Sequence, residues 1–112
     1  MSGVGGRAVR RVIETLERCP RAGSGSLTEI AGAVGLTRLA LHDAFREHCG
    51  MTPQQYLRLV RLDGVRADLL AAPLAGVTID EVALRWGFAH NRAFLLWYRE
   101  RFGEWPAQTL RR

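Results

Sequence analysis

The sequence predicts an all-α domain of about seven helices in which one helical unit occurs twice. Two observations lead there. Residues 35–50, GLTRLALHDAFREHCG, align with residues 87–103, GFAHNRAFLLWYRERFG, at an offset of 52 before the turn and 53 after it. The quartets Ser26-Leu27-Thr28-Glu29 and Thr78-Ile79-Asp80-Glu81 repeat one helix-opening pattern 52 residues apart. A repeat of this size has to be explained before any single residue is.

The alignment is carried by particular pairs. Ile30 meets Val82, Ala31 meets Ala83 and Leu36 meets Phe88. Past the turn, Leu41 meets Phe94, Phe45 meets Tyr98, Arg46 meets Arg99, Gly50 meets Gly103 and Pro53 meets Pro106. The change of offset gives the second copy one extra turn residue.

Residues 1–6, MSGVGG, are glycine-rich and read as a mobile start. Val9, Val12, Ile13 and Leu16 then recur at helical spacing, with Arg7, Arg10, Arg11, Glu14 and Glu17 on other faces. This helix should stop near Cys19, because Pro20 disfavours helical geometry in the residue before it. Residues 20–25, PRAGSG, read as a loop, so residues 1–25 form an N-terminal arm and helix.

Residues 26–51 form the first unit. Ser26 and Glu29 make a capping box, the helix buries Leu27, Ile30, Ala31 and Val34, and Gly35 closes it in the left-handed conformation. A second helix from about Arg38 to His48 buries Leu41, Ala44 and Phe45.

Residues 52–72 read as one long helix that opens at Thr52-Pro53-Gln54-Gln55, with proline at its first position. Tyr56, Leu57, Val60, Val65, Leu69 and Leu70 give its apolar stripe. It spans roughly 27 Å at 1.5 Å per residue. Gly64 in its interior should cost about 1 kcal/mol relative to alanine, and Pro73 should end it.

Residues 73–112 repeat the first unit. The helix opened by Thr78 buries Ile79, Val82, Ala83 and Trp86 and ends at Gly87. The next, from about Asn91 to Arg101, buries Phe94, Trp97 or Tyr98, and Phe102. Trp105–Leu110 reads as a short closing helix. Helix, tight turn, helix is the layout of the helix-turn-helix, whose second helix can enter a DNA major groove.

Composition agrees with a folded domain that meets polyanions. The 112 residues are 47% apolar and 24% charged and carry a net charge of +5, with every basic residue an arginine. The charge is +3 over residues 1–25, −2 over residues 26–84 and +4 over residues 85–112. No apolar run is long enough to span a membrane, and the N-terminus lacks the apolar centre of a signal peptide. Cys19 and Cys49 are too few for a disulfide framework, so a reducing cytoplasmic setting is expected. Cys19, Cys49, His42, His48 and His90 do not have zinc spacing. No nucleophile, base and acid stand at a convincing spacing, and no phosphate-cradling loop is present. Neither catalysis nor a metal or cofactor is expected.

Two such units joined by a long helix resemble the DNA-binding domain of the AraC/XylS family of transcription regulators. The likeness rests on LTEIAGAVGL and TIDEVALRWGF, on FREHCGMTPQQYLRLVRL, and on WYRERFGEWPAQTLRR, and it covers residues 8–112. The resemblance implies a homeodomain-like fold whose two recognition helices enter successive major-groove segments of double-stranded DNA. A DNA turn is about 34 Å, close to the length expected of the linker helix. It also implies RNA polymerase as a partner. A sensor or dimerisation domain usually accompanies the family's DNA-binding domain, so this is either a short regulator or the C-terminal piece of a longer one.

By the same resemblance the outward positions of the first recognition helix are Arg38, Leu39, His42, Asp43 and Arg46, and those of the second are Asn91, Arg92, Leu95, Leu96 and Arg99. Arginine and asparagine suit paired contacts to purine edges, and Arg46 and Arg99 suit phosphate. The family commonly has a basic residue where Asp43 and Leu96 stand, a tyrosine at Thr109 and a polar residue at Gly64. The arginine-rich second unit is therefore expected to anchor binding. A protein-interaction module of the same fold, with Leu95 and Leu96 as its contact patch, is the rival reading.

Overall fold

The computed structural model describes residues 2–18, 26–71 and 76–111. Seven helices lie among them: α1 (Ser2–Arg18), α2 (Ser26–Ala33), α3 (Arg38–Cys49), α4 (Pro53–Ala71), α5 (Ile79–Arg85), α6 (Arg92–Phe102) and α7 (Pro106–Leu110). The expected stops at Pro20 and Pro73, the loop 20–25 and the capping oxygen of Ser26 lie outside the described residues.

The chain forms two compact units, Met1–Val60 and Arg61–Arg112, and the division falls inside α4. In the first, Val9, Val12 and Leu16 of α1 meet Leu27 and Ala31 of α2, Leu41 and Phe45 of α3, and Leu57 of α4. Tyr56 packs against this cluster, and its hydroxyl donates to Glu17 Oε1 at 3.0 Å. In the second, Leu62, Val65 and Leu69 of α4 meet Val82, Ala83, Phe88, Phe94 and Tyr98.

The two copies close their first turn with the same bonds. Leu36 N donates to Ala31 O and Phe88 N to Ala83 O, both at 2.8 Å; Gly35 N bonds Gly32 O at 3.1 Å and Gly87 N bonds Leu84 O at 3.0 Å. This pair of bonds is the Schellman closure. It needs a left-handed residue, and Gly35 and Gly87 have φ of 78° and 84°. The repeat seen in the sequence is thus a repeat of backbone hydrogen bonding.

Helix starts follow local side-chain chemistry. Thr52 Oγ1 accepts from Gln55 N at 3.1 Å while Gln55 Oε1 accepts from Thr52 N at 2.9 Å, a complete capping box. Thr78 Oγ1 accepts from Glu81 N at 3.2 Å, but the Glu81 carboxylate takes the Thr78 hydroxyl at 3.3 Å instead of its amide.

Three expectations are corrected. The glycine-rich start is helical from Ser2, and Gly6 packs beside the His48 ring; contact with α3 outweighs the low helix propensity of glycine. Leu70 is exposed, and Leu62 takes its place in the core. Leu62, Val65 and Leu69 stand at positions i, i+3 and i+7 of one helix face, while Leu70 is turned about 100° from Leu69. The helix expected from Asn91 begins at Arg92, because Asn91 caps it.

Candidate nucleic-acid interface

Each unit presents its third element as an exposed helix held from beneath by aromatic residues. In α3, Leu41 and Phe45 are buried, while Arg38, Leu39, Asp43 and Arg46 are exposed. Thr37 caps the start through Oγ1, 3.0 Å from Ala40 N, and Gly50 ends it with φ of 71°. Leu39 is 71% exposed. A shallow cavity of about 350 Å³ opens beside Arg38, Leu39 and His42.

His42 is half-buried. Its Nδ1 is covered, makes no hydrogen bond among the described residues, and lies 3.5 Å from Asp43 Oδ1. Asp43 is therefore the local counter-charge on this helix and lowers its attraction for phosphate.

In α6, Phe94 and Tyr98 are fully buried, and Phe94 stacks tilted against Phe88 at 5.2 Å. The opposite face carries Arg92, Leu96 and Arg99, all exposed, with Leu96 at 47%. Leu95 is half-buried and packs against the core. Arg92 and Arg99 are seven residues apart, two helical turns on one face. The Arg99 guanidinium lies 4.8 Å from the centroid of the Trp105 ring.

Asn91 is exposed, and it also caps α6. Its Oδ1 accepts from Phe94 N at 3.0 Å and caps α6. Paired recognition of adenine uses both ends of a carboxamide, and one end is occupied by the helix. Asparagine is a strong N-cap residue, so the signal was present in the sequence.

Two other arginines of the second unit have carboxylate partners. Arg101 makes a two-point contact with Asp63, Nε to Oδ1 at 3.1 Å and Nη2 to Oδ2 at 3.0 Å. The hydrogen bond to Asp63 raises the Arg101 pKa above its ordinary value. Arg85 Nη1 meets Asp68 Oδ2 at 2.9 Å. Burial lowers the Arg61 pKa beside Gly87. Two of the six arginines of residues 85–112 are thus paired with carboxylates, and Arg92 and Arg99 stand out on the α6 face. Trp105, which touches Arg99 from outside the helix, was not singled out by sequence.

Among the described residues, no helix is long and apolar enough to cross a membrane, and no group of three or more His, Cys, Asp or Glu side chains is placed to hold a metal.

A family model described as "Helix-turn-helix domain" matches residues 8–112. The chain is 36% identical over 104 residues to the regulatory protein HrpB of Ralstonia nicotianae, covering 93% of this chain and 21% of that protein. It is 38% identical over 106 residues to the XylDLEGF operon transcriptional activator of Pseudomonas putida, covering 94% of this chain and 31% of that one. The chain therefore spans between about a fifth and a third of the length of these relatives. Among solved structures, a probable AraC family transcriptional regulator from Rhodopseudomonas palustris superposes with a TM-score of 0.85 at 28% identity, over 94% of this chain and 95% of that one.

Proposed function

The chain belongs to the AraC/XylS family of helix-turn-helix, DNA-binding transcription regulators, and from that premise we propose that it binds double-stranded DNA sequence-specifically, with α3 and α6 as recognition helices in adjacent major-groove segments. The observation that carries this reading is the exposed face of α6. Arg92 and Arg99 lie on it two turns apart, while neighbouring arginines are drawn off by Asp63 and Asp68.

Roles follow from chemistry. Arg92 and Arg38 stand at the N-terminal ends of their helices and suit guanine edges, which accept a paired arginine contact. Arg99 and Arg46 stand in the last turns and suit phosphate. Leu39 and Leu96 offer methyl groups to thymine. Asp43 can accept from cytosine N4. His42 lies at the edge of the same face. Leu95 supports the helix more than it reads. Asn91 sets the start of α6 and so the height at which Arg92 enters the groove. RNA polymerase, and a sensor domain in a longer chain, are the further partners this reading implies.

The exposed Leu39 and Leu96 favour one rival, a protein-docking module. Salt separates the two. A duplex selected from a random pool should bind with a slope of log K against log salt of at least about −2 from two phosphate contacts. A slope near zero, with no duplex enriched, would leave the docking module standing.

A further inference from the structure

We propose that Trp105, which lies outside both recognition helices, is a positioning residue that holds the Arg99 guanidinium ready for a DNA phosphate. The inference rests on the reading of Arg99 as a phosphate contact. Arg99 Cζ lies 4.8 Å from the Trp105 ring centroid, in the range of a cation–π stack. Stacking occupies a face of the guanidinium and leaves its N–H edges free, and those edges bind phosphate oxygens.

The backbone that carries the ring is anchored on both sides. Gly103 turns the chain with φ of 74°. The next residue, Glu104, is buried and accepts a hydrogen bond from the Thr109 hydroxyl, which in turn accepts from the Tyr98 hydroxyl at 2.6 Å. Pro106 on the other side is buried, and the Trp105 amide donates to Gln108 Oε1 at 2.7 Å. Tyr98 and Arg99 are neighbours in α6. The same short network that fixes Tyr98 below the helix therefore fixes the platform on which Arg99 rests. An arginine held this way loses less side-chain freedom on binding than one that must be ordered by the phosphate.

The repeat supplies an internal comparison. Arg46 is the counterpart of Arg99, and at the offset of 53 the counterpart of Trp105 is Thr52. Thr52 has no ring, and its hydroxyl caps α4. The two phosphate arginines thus differ in their support, and Arg99 is the better organised one.

The test uses Trp105→Phe, Trp105→Leu, Arg99→Ala and the Arg99→Ala/Trp105→Leu double variant, titrated by fluorescence anisotropy against a selected duplex. Ring-current shifts of the Arg99 side chain are read by NMR without DNA. Arg99→Ala should lower the salt slope by about 1. Trp105→Leu, which keeps an apolar side chain but removes the π face, should weaken binding about two- to fivefold and abolish the ring-current shift. Trp105→Phe should retain most of both. The double variant should bind no more weakly than Arg99→Ala alone. Wild-type affinity for Trp105→Leu, or losses that multiply in the double variant, would overturn the positioning role while leaving the phosphate contact intact. An unchanged salt slope in Arg99→Ala would instead remove the phosphate contact itself and the inference with it.

Discussion

The indole of Trp86 occupies the space that a side chain on residue 64 would need: a Cβ built on Gly64 would lie 2.4 Å from Trp86 Cη2. The ring is not free to retreat, because Trp86 Nε1 donates to Asp68 Oδ2 at 2.8 Å, and the same carboxylate oxygen takes Arg85. Gly64 thus gives up helix propensity so that α5 can end against α4 within the second unit. Gly64→Ala should therefore destabilise the protein by about 1–3 kcal/mol through overpacking, although the same change in an open helix would add about 1 kcal/mol. Urea denaturation measures the sign. A gain in stability would mean that the indole moves aside at little cost.

The hydroxyl of Thr109 joins two buried groups, accepting from Tyr98 and donating to Glu104. Thr109→Val keeps the shape and removes the shared partner. A loss of about 1–3 kcal/mol is expected, as for other buried polar groups deprived of a partner. Thr109→Ser should keep most of the stability, since it keeps the hydroxyl. Equal melting temperatures for threonine and valine would show that the relay contributes nothing.

Asn91 separates a cap from a reader. Asn91→Ala should cost about 1 kcal/mol of stability, and Asn91→Ser should restore it, because serine caps nearly as well. If Asn91 only caps, Asn91→Ser also restores DNA affinity and leaves the preferred duplex unchanged. Selection of a different base by Asn91→Ser in a random-pool experiment would make Asn91 a reader after all.

What could be read in the sequence was local. The glycines at 35, 50, 87 and 103 announce left-handed helix ends, and Thr52-Pro53-Gln54-Gln55 and Thr78 announce starts, because caps are set by residues three or four apart. The duplicated unit, helices α3 and α6 and most of the core followed from that. What was missed depends on residues far apart in the chain. Arg101 finds Asp63, 38 residues away, and Gly64 owes its identity to Trp86. Composition counted Arg101 as free charge and Gly64 as a weak point. The stack of Trp105 on Arg99 is also tertiary, since a turn through Gly103 separates the two. Asn91 is different: its capping role was local and readable, and the alignment with Arg38 obscured it.

The two units should contribute unequally to DNA affinity. On α3, Asp43 is exposed beside His42, and it opposes the attraction of Arg38 and Arg46 for phosphate. On α6, no carboxylate faces Arg92 and Arg99 within ion-pair distance among the described residues, and Arg99 rests on a ring. Reversing charge at Arg92 and Arg99 together should weaken binding by about 100-fold, and reversal at Arg38 and Arg46 by about tenfold. Anisotropy titrations at one fixed salt concentration compare them directly. Asp43→Asn in the wild-type background should tighten binding and steepen the salt slope, since it removes a like charge from the surface facing phosphate. Equal losses from the two double reversals, with no gain from Asp43→Asn, would mean that both helices bear on DNA alike.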